Sequence, residues 1–146
     1  MKAVYIARPE PARTRAEQFA GRPVTDVMSR PVASVPEDTL LGDALRLMVQ
    51  SRHRHLVIVD SAGRCVGVLV DRAVAAAWAH DPMSLDRLRV GAIMRPTAEP
   101  VRSRAKARDA ARAMRDSGTD AVVVVDEEGA PVGIVTGTDL IALLAR

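Results

Sequence analysis

The sequence predicts an α+β fold in which two copies of a β-α-β-β-α unit pack about a pseudo-two-fold axis. Three observations lead there. Displacing the chain by 66 positions lays residues 24–74 over 90–140 without a gap, and 14 of those 51 positions are identical, among them Val24/Val90, Met28/Met94, Met48/Met114, Asp60/Asp126 and Gly67/Gly133. The hydrophobic patterns also run in the same order in both copies. Finally, one copy is too small to cover both faces of its own sheet, so the two must cover each other.

Residues 1–23 contain Pro9, Pro11 and Pro23 among scattered Arg and Ala with no sustained period, which predicts a basic, poorly ordered arm. The first copy, residues 24–80, opens on Val24-Thr25-Asp26-Val27-Met28 and a short extended stretch over 32–35. A helix follows, with Asp38 or Thr39 placed to cap it and Leu41, Ala44, Leu45 and Met48 forming its apolar face. Its counterpart face is Ala107, Ala110, Ala111 and Met114, and Gly118 stops that helix. The runs 56–59 and 66–70, matched by 122–125 and 132–135, are nearly continuous Val, Ile and Leu. Such runs predict strands covered on both faces, and the acidic, Gly-containing turns between them predict hairpins. A second helix closes each copy, over 71–80 and 138–145, on the stripes Val74, Ala77, Trp78 and Leu140, Leu143, Leu144, with Trp78 as a packing anchor at a helix interface. Residues 81–89 read as the linker and 90–146 as the second copy.

Composition removes several classes of function. Cys65 is the only cysteine, so no disulfide forms within the chain, and it reads as a half-buried small hydrophobe. No apolar run reaches the roughly 18 residues of a membrane span and no secretory signal opens the chain, so the expectation is a soluble cytoplasmic protein without membrane contact. The basic excess sits in residues 1–23, leaving 16 basic and 16 acidic residues in the repeated body. Arg102, Arg104, Lys106, Arg108, Arg112 and Arg115 form another basic concentration, but no aromatic residues interleave to stack bases, so nucleic acid is not the expected partner. No Ser-His-Asp or Cys-His arrangement, P-loop or dinucleotide glycine pattern is present, and no catalytic residue is assigned. His53, His55, His80 and Cys65 lack metal-site spacing, so no metal is expected.

The chemistry concentrates in Gly133-Ile134-Val135-Thr136-Gly137-Thr138-Asp139. A strand that turns directly into a helix here puts two hydroxyls and a carboxylate at the helix start. One carboxylate can accept from both vicinal hydroxyls of a ribose, and helix-start amides favour phosphate. Taken alone, Thr-x-x-Asp before an apolar helix is a capping signal. The first copy has Val70 and Ala73 where the second has Thr136 and Asp139, and Asp71 comes two residues early. One competent and one degenerate site are therefore expected.

The element order, the Asp-Val-Met opening, the VIVD and VVVD strands and the glycine of each following strand resemble the cystathionine β-synthase (CBS) domain, over residue 24 to the C-terminus. Two in tandem resemble a Bateman module. The resemblance implies a regulatory module that senses an adenine nucleotide, AMP, ADP, ATP or a related adenosyl ligand, in the cleft between copies. Thr136, Thr138 and Asp139 would hold the ribose. Met28, Val32, Ala33 and His53 would form the adenine pocket, and Arg54 with His55 would meet phosphate. Met28 and Val32 also suit plain core, and for Arg54 phosphate contact and a solvated charge stand level. The same resemblance implies a homodimer without a cofactor, acting on an unknown downstream protein. The alternative is a constitutive protein-interaction scaffold whose ligand sites have decayed.

Overall fold

The computed structural model describes residues 14–96 and 99–145, so most of the expected basic arm, residues 1–13, lies outside the described residues. What is described of that arm includes a short helix. Helix α1 (Arg15–Ala20) starts at Thr14, whose hydroxyl accepts from the Glu17 amide while the Glu17 carboxylate accepts from the Thr14 amide. Phe19 carries this helix onto the second copy's core. The capping box starts this helix where the sequence carries no apolar period.

Each copy then forms a three-stranded sheet. In the first, β1 (Ser34–Pro36) pairs parallel with β2 (His55–Val59), and β2 pairs antiparallel with β3 (Cys65–Val70). Helix α2 (Leu41–Ser51) joins the parallel pair and α3 (Asp71–His80) follows β3 directly. The short α4 (Ser84–Arg87) lies inside the expected linker. The second copy repeats the order as β4 (Val101–Arg102), α5 (Ala107–Ser117), β5 (Ala121–Val125), β6 (Pro131–Thr136) and α6 (Gly137–Leu144), in the matching register. This is the α+β, two-repeat arrangement that the sequence predicts.

The hairpins close on the repeated Asp and Gly. Asp60 Oδ1 accepts from the amides of Ala62 and Arg64, Asp126 Oδ1 from those of Glu128 and Ala130, each at 2.9–3.0 Å. Gly63 and Gly129 take φ of +80° and +86°, where a Cβ would be strained.

The continuous apolar strands are explained by two-sided burial. Leu56, Ile58 and Leu69 point into a core with Leu41, Ala44, Met48 and Val74, while Val57 and Val68 meet Val123 and Val125 of the other sheet. Val122, Val124 and Val135 join Ala107, Ala110, Met114 and Leu143 beneath the second copy's helices. Cys65, half-buried, packs into the layer between the sheets.

The opening segments are exchanged. Val24 and Val27 are buried in the second copy's core and Val90 in the first copy's. Backbone bonds hold each in place: Val24 N–H donates to the Ala105 carbonyl and Val90 N–H to that of Thr39, both at 2.8 Å. Ser29 pairs as an isolated bridge with Ile134, and Arg95 with Val68. The repeated methionines and glycines mark the same contact, Met28 lying against Gly133 and Met94 against Gly67. This exchange also corrects the expected cap of α2. Neither Asp38 nor Thr39 caps it; Leu40 precedes the first turn, and the Thr39 carbonyl is taken by the Val90 amide. Trp78, expected as a packing anchor, is 53% exposed.

Candidate functional site

Both second helices begin without a loop after their strands, so each strand end and helix start share one place. Between the copies these junctions open into a cleft of about 810 Å³. Thr136, Gly137, Thr138 and Asp139 form one wall. Val70, Asp71 and Arg72 form another, and Ser29, Arg54, His55, Asp120 and Ile141 complete it.

Asp139 is the best-connected side chain there. Its Oδ2 accepts from the Thr136 amide at 2.9 Å and from the Thr136 hydroxyl at 3.1 Å, while its own amide donates to Thr136 Oγ1 at 3.3 Å. Oδ1 accepts from the Ser29 hydroxyl at 2.8 Å. Helix cap and cleft-facing acceptor are thus one carboxylate. Thr138 is exposed beside it. A half-buried carboxylate with two oxygens and four acceptor directions can hold a diol on Oδ1 in place of Ser29 without leaving its cap.

His55 projects from the start of β2, and its Nε2 is buried without a hydrogen-bond partner. Burial lowers its pKa from the usual imidazole value, against the opposing pull of Asp120, Asp71 and Asp139, with Arg54 adding to the lowering. Arg54 is exposed on the cleft, and its carbonyl accepts from the Asp71 amide at 2.9 Å. Arg72 Nη2 lies 3.4 Å from Asp120 Oδ2, joining the two copies across the cleft.

The structure therefore gathers Thr136, Thr138, Asp139, Arg54 and His55 on one cleft. Met28, Val32, Ala33 and His53 are not among its lining residues. Met28 packs on Gly133, Val32 in the layer between sheets and Ala33 on the first copy's core, while His53 Nε2 donates to the Pro31 carbonyl at 3.1 Å. The sequence pattern does not single out Ser29, Arg72 and Asp120 as cleft residues, because only the exchange of segments and the facing of the copies bring them here. The signal available for Ser29 was its position next to the repeated Met28.

A smaller cleft of about 170 Å³ is the pseudo-symmetric counterpart, lined by Val68, Arg95, Pro96 and residues 118–121 and sharing Val70, Arg72 and Asp120 with the larger one. The position matching Asp139 is Ala73, so this side has no ribose-type acceptor from its helix start. Among the described residues, no group of three or more His, Cys, Asp or Glu is placed to hold a metal ion, and no helix is long and apolar enough to cross a membrane.

Comparison with known proteins agrees with this architecture. The CBS domain pair of protein MJ0100, solved with 5′-methylthioadenosine and S-adenosyl-L-methionine, superposes with a TM-score of 0.71 at 25% identity, covering 84% of this chain and 94% of that one. CBSX2 in complex with AMP gives 0.67 at 28% identity over 84% and 95% of the two chains. The cytosolic domain of the Mg2+ channel MgtE in complex with ATP gives 0.68 at 30% identity over 87% and 50%. The chain spans about a quarter of the length of curated relatives that match it at 35% and 29% identity. The CBS domain family model matches residues 24–80 and again 90–146. With both copies matched and the fold shared with solved pairs, this chain belongs to the CBS domain family.

Proposed function

We propose that this chain is a regulatory module that takes an adenosine-containing ligand in the larger cleft between its two CBS copies. The observation that carries the reading is Asp139, held at the start of α6 by Thr136 with a second oxygen turned to Ser29 on the cleft. The solved relatives support it: their ligands differ in phosphate number and charge, and adenosine is what they share. A ribose would offer its two hydroxyls to Asp139 with Thr136 and Thr138 alongside, and Arg54 and His55 would flank the 5′ substituent. Because the cleft is walled by both copies, a ligand with different affinity for two arrangements of the halves shifts the balance between them. The reading extends to a cytoplasmic homodimer that passes this shift to a separate protein, with exposed Trp78, Ile141 and Leu144 as the apolar surface such a dimer would cover.

Calorimetric titration with AMP and 2′-deoxy-AMP tests the proposal. Saturable AMP binding is expected, with the deoxy analogue weaker by about tenfold, because a carboxylate that loses a hydroxyl partner loses a charge-assisted hydrogen bond. Equal affinities would remove the role of Asp139. Absence of binding by adenosine, AMP and ATP alike would favour the scaffold reading, to which the Val70 and Ala73 substitutions in the first copy already point.

A further inference from the structure

The larger cleft is poor in available positive charge. Asp71, Asp120 and Asp139 line the cleft against Arg54 and Arg72, and burial lowers the His55 pKa, disfavouring its cationic form. Arg72 is already paired with Asp120 at 3.4 Å. Four of the helix-start amides are also occupied. Asp71 N–H donates to the Arg54 carbonyl at 2.9 Å and Gly137 N–H to the Asp120 carbonyl at 3.1 Å. Arg72 N–H donates to Asp71 Oδ1 at 2.8 Å and Asp139 N–H to Thr136 Oγ1 at 3.3 Å. Among the described residues this leaves Arg54 as the cleft cation without an ion pair. In the 66-residue register, Arg54 of the first copy corresponds to Asp120 of the second, so one backbone position is cationic on one side and anionic on the other.

We propose that the cleft selects an adenosine ligand with at most one phosphate, and that Asp71 and Asp120 are the residues that disfavour a second and third. This rests on the adenosine reading above and adds the ligand's charge. One guanidinium offers its paired donors to one phosphate. Each further phosphate brings negative charge toward Asp71 and the Arg72-paired Asp120, with no unpaired cation beyond Arg54 among the described cleft residues to receive it.

The test is calorimetry on the full chain with adenosine, AMP, ADP and ATP in magnesium-free buffer at low ionic strength, where such repulsion is least screened. Affinity is expected to fall by about threefold for each phosphate beyond the first, the size of like-charge repulsion across a solvated cleft. In the Asp71→Asn/Asp120→Asn double variant the spread between AMP and ATP should close to about twofold while adenosine affinity stays within about twofold of native. Thermal melting of the variant confirms that it is folded, and Asp120→Asn alone, with a smaller closing of the spread, serves if it is not. If adenosine and AMP bind but native protein holds ATP as tightly as AMP, or the carboxamide variants leave the spread unchanged, the charge inference falls and the adenosine reading stands. If none of the four ligands binds, both fall.

Discussion

The Ser29 hydroxyl donates to Asp139 Oδ1 at 2.8 Å, joining residues 110 positions apart and fastening the exchanged opening segment to the start of α6. In the unliganded chain, Ser29 uses the acceptor that a ribose would share. Ser29→Ala should therefore keep adenosine-ligand affinity within about fivefold of native, since the ribose brings its own donors. Asp139→Ala should cost about 100-fold, the loss of two charge-assisted bonds, and about 1 kcal/mol of stability from the lost cap. Asp139→Asn separates the two effects: its amide oxygen can still accept from the Thr136 amide, so stability stays near native while binding falls. Urea unfolding beside calorimetry reads both, and a Ser29→Ala loss as large as that of Asp139→Ala would make Ser29 a direct ligand contact.

Met28 Sδ lies so close to Gly133 that a Cβ there would displace it. Gly133→Ala is expected to destabilise the chain by about 1–3 kcal/mol through overpacking. Adding Met28→Ala should recover part of that loss, a departure from additivity measurable by a double-mutant cycle. Strict additivity would mean that the two residues do not press on each other.

Arg52 ends α2 in the left-handed region, φ +58° and ψ +30°, at the position where Gly118 ends α5 with φ +66°. A side chain in this conformation costs about 1 kcal/mol that glycine does not. Arg52→Gly should raise the melting temperature by about 3 °C. A fall in its thermal melt would show that the Arg52 side chain contributes more than its backbone strain costs.

His55 supplies a pH dependence of known sign. Its pKa is lowered in the folded chain by burial, so between the ordinary value near 6.5 and the lowered one the unfolded chain binds more protons. The stability tied to the neutral ring is complete above the ordinary value and is lost as pH falls through that window. Urea titrations at pH 7.5 and pH 5 should show a smaller loss in His55→Val than in the native chain. Parallel losses would mean that the ring is solvated in the folded state.

Much of the fold was legible because its signals are local. The Asp60 and Asp126 turns, the β-branched runs and the Thr136-to-Asp139 junction each declare themselves within a few residues. The exchange was not legible, because Val24 and Val90 are identical and both helical faces they could enter are apolar. Asp120 and Arg72 belong to no motif; each looks like an ordinary surface charge until the copies face each other. The α2 cap was misread for the same reason, since the backbone around Thr39 is bonded by a segment 51 residues further on. The expected arm hid a short helix whose signal, Thr14 with Glu17, is one of polar side chains rather than hydrophobic period.

Because Val24 and Val27 complete the core of one half and Val90 that of the other, the stretch that repeats in the sequence is not the piece that could be excised. A fragment cut at the repeat would carry a plug with no socket and a socket with no plug. The halves are mortised, so heat or denaturant that loosens one should release the other, and unfolding should run as one event rather than two.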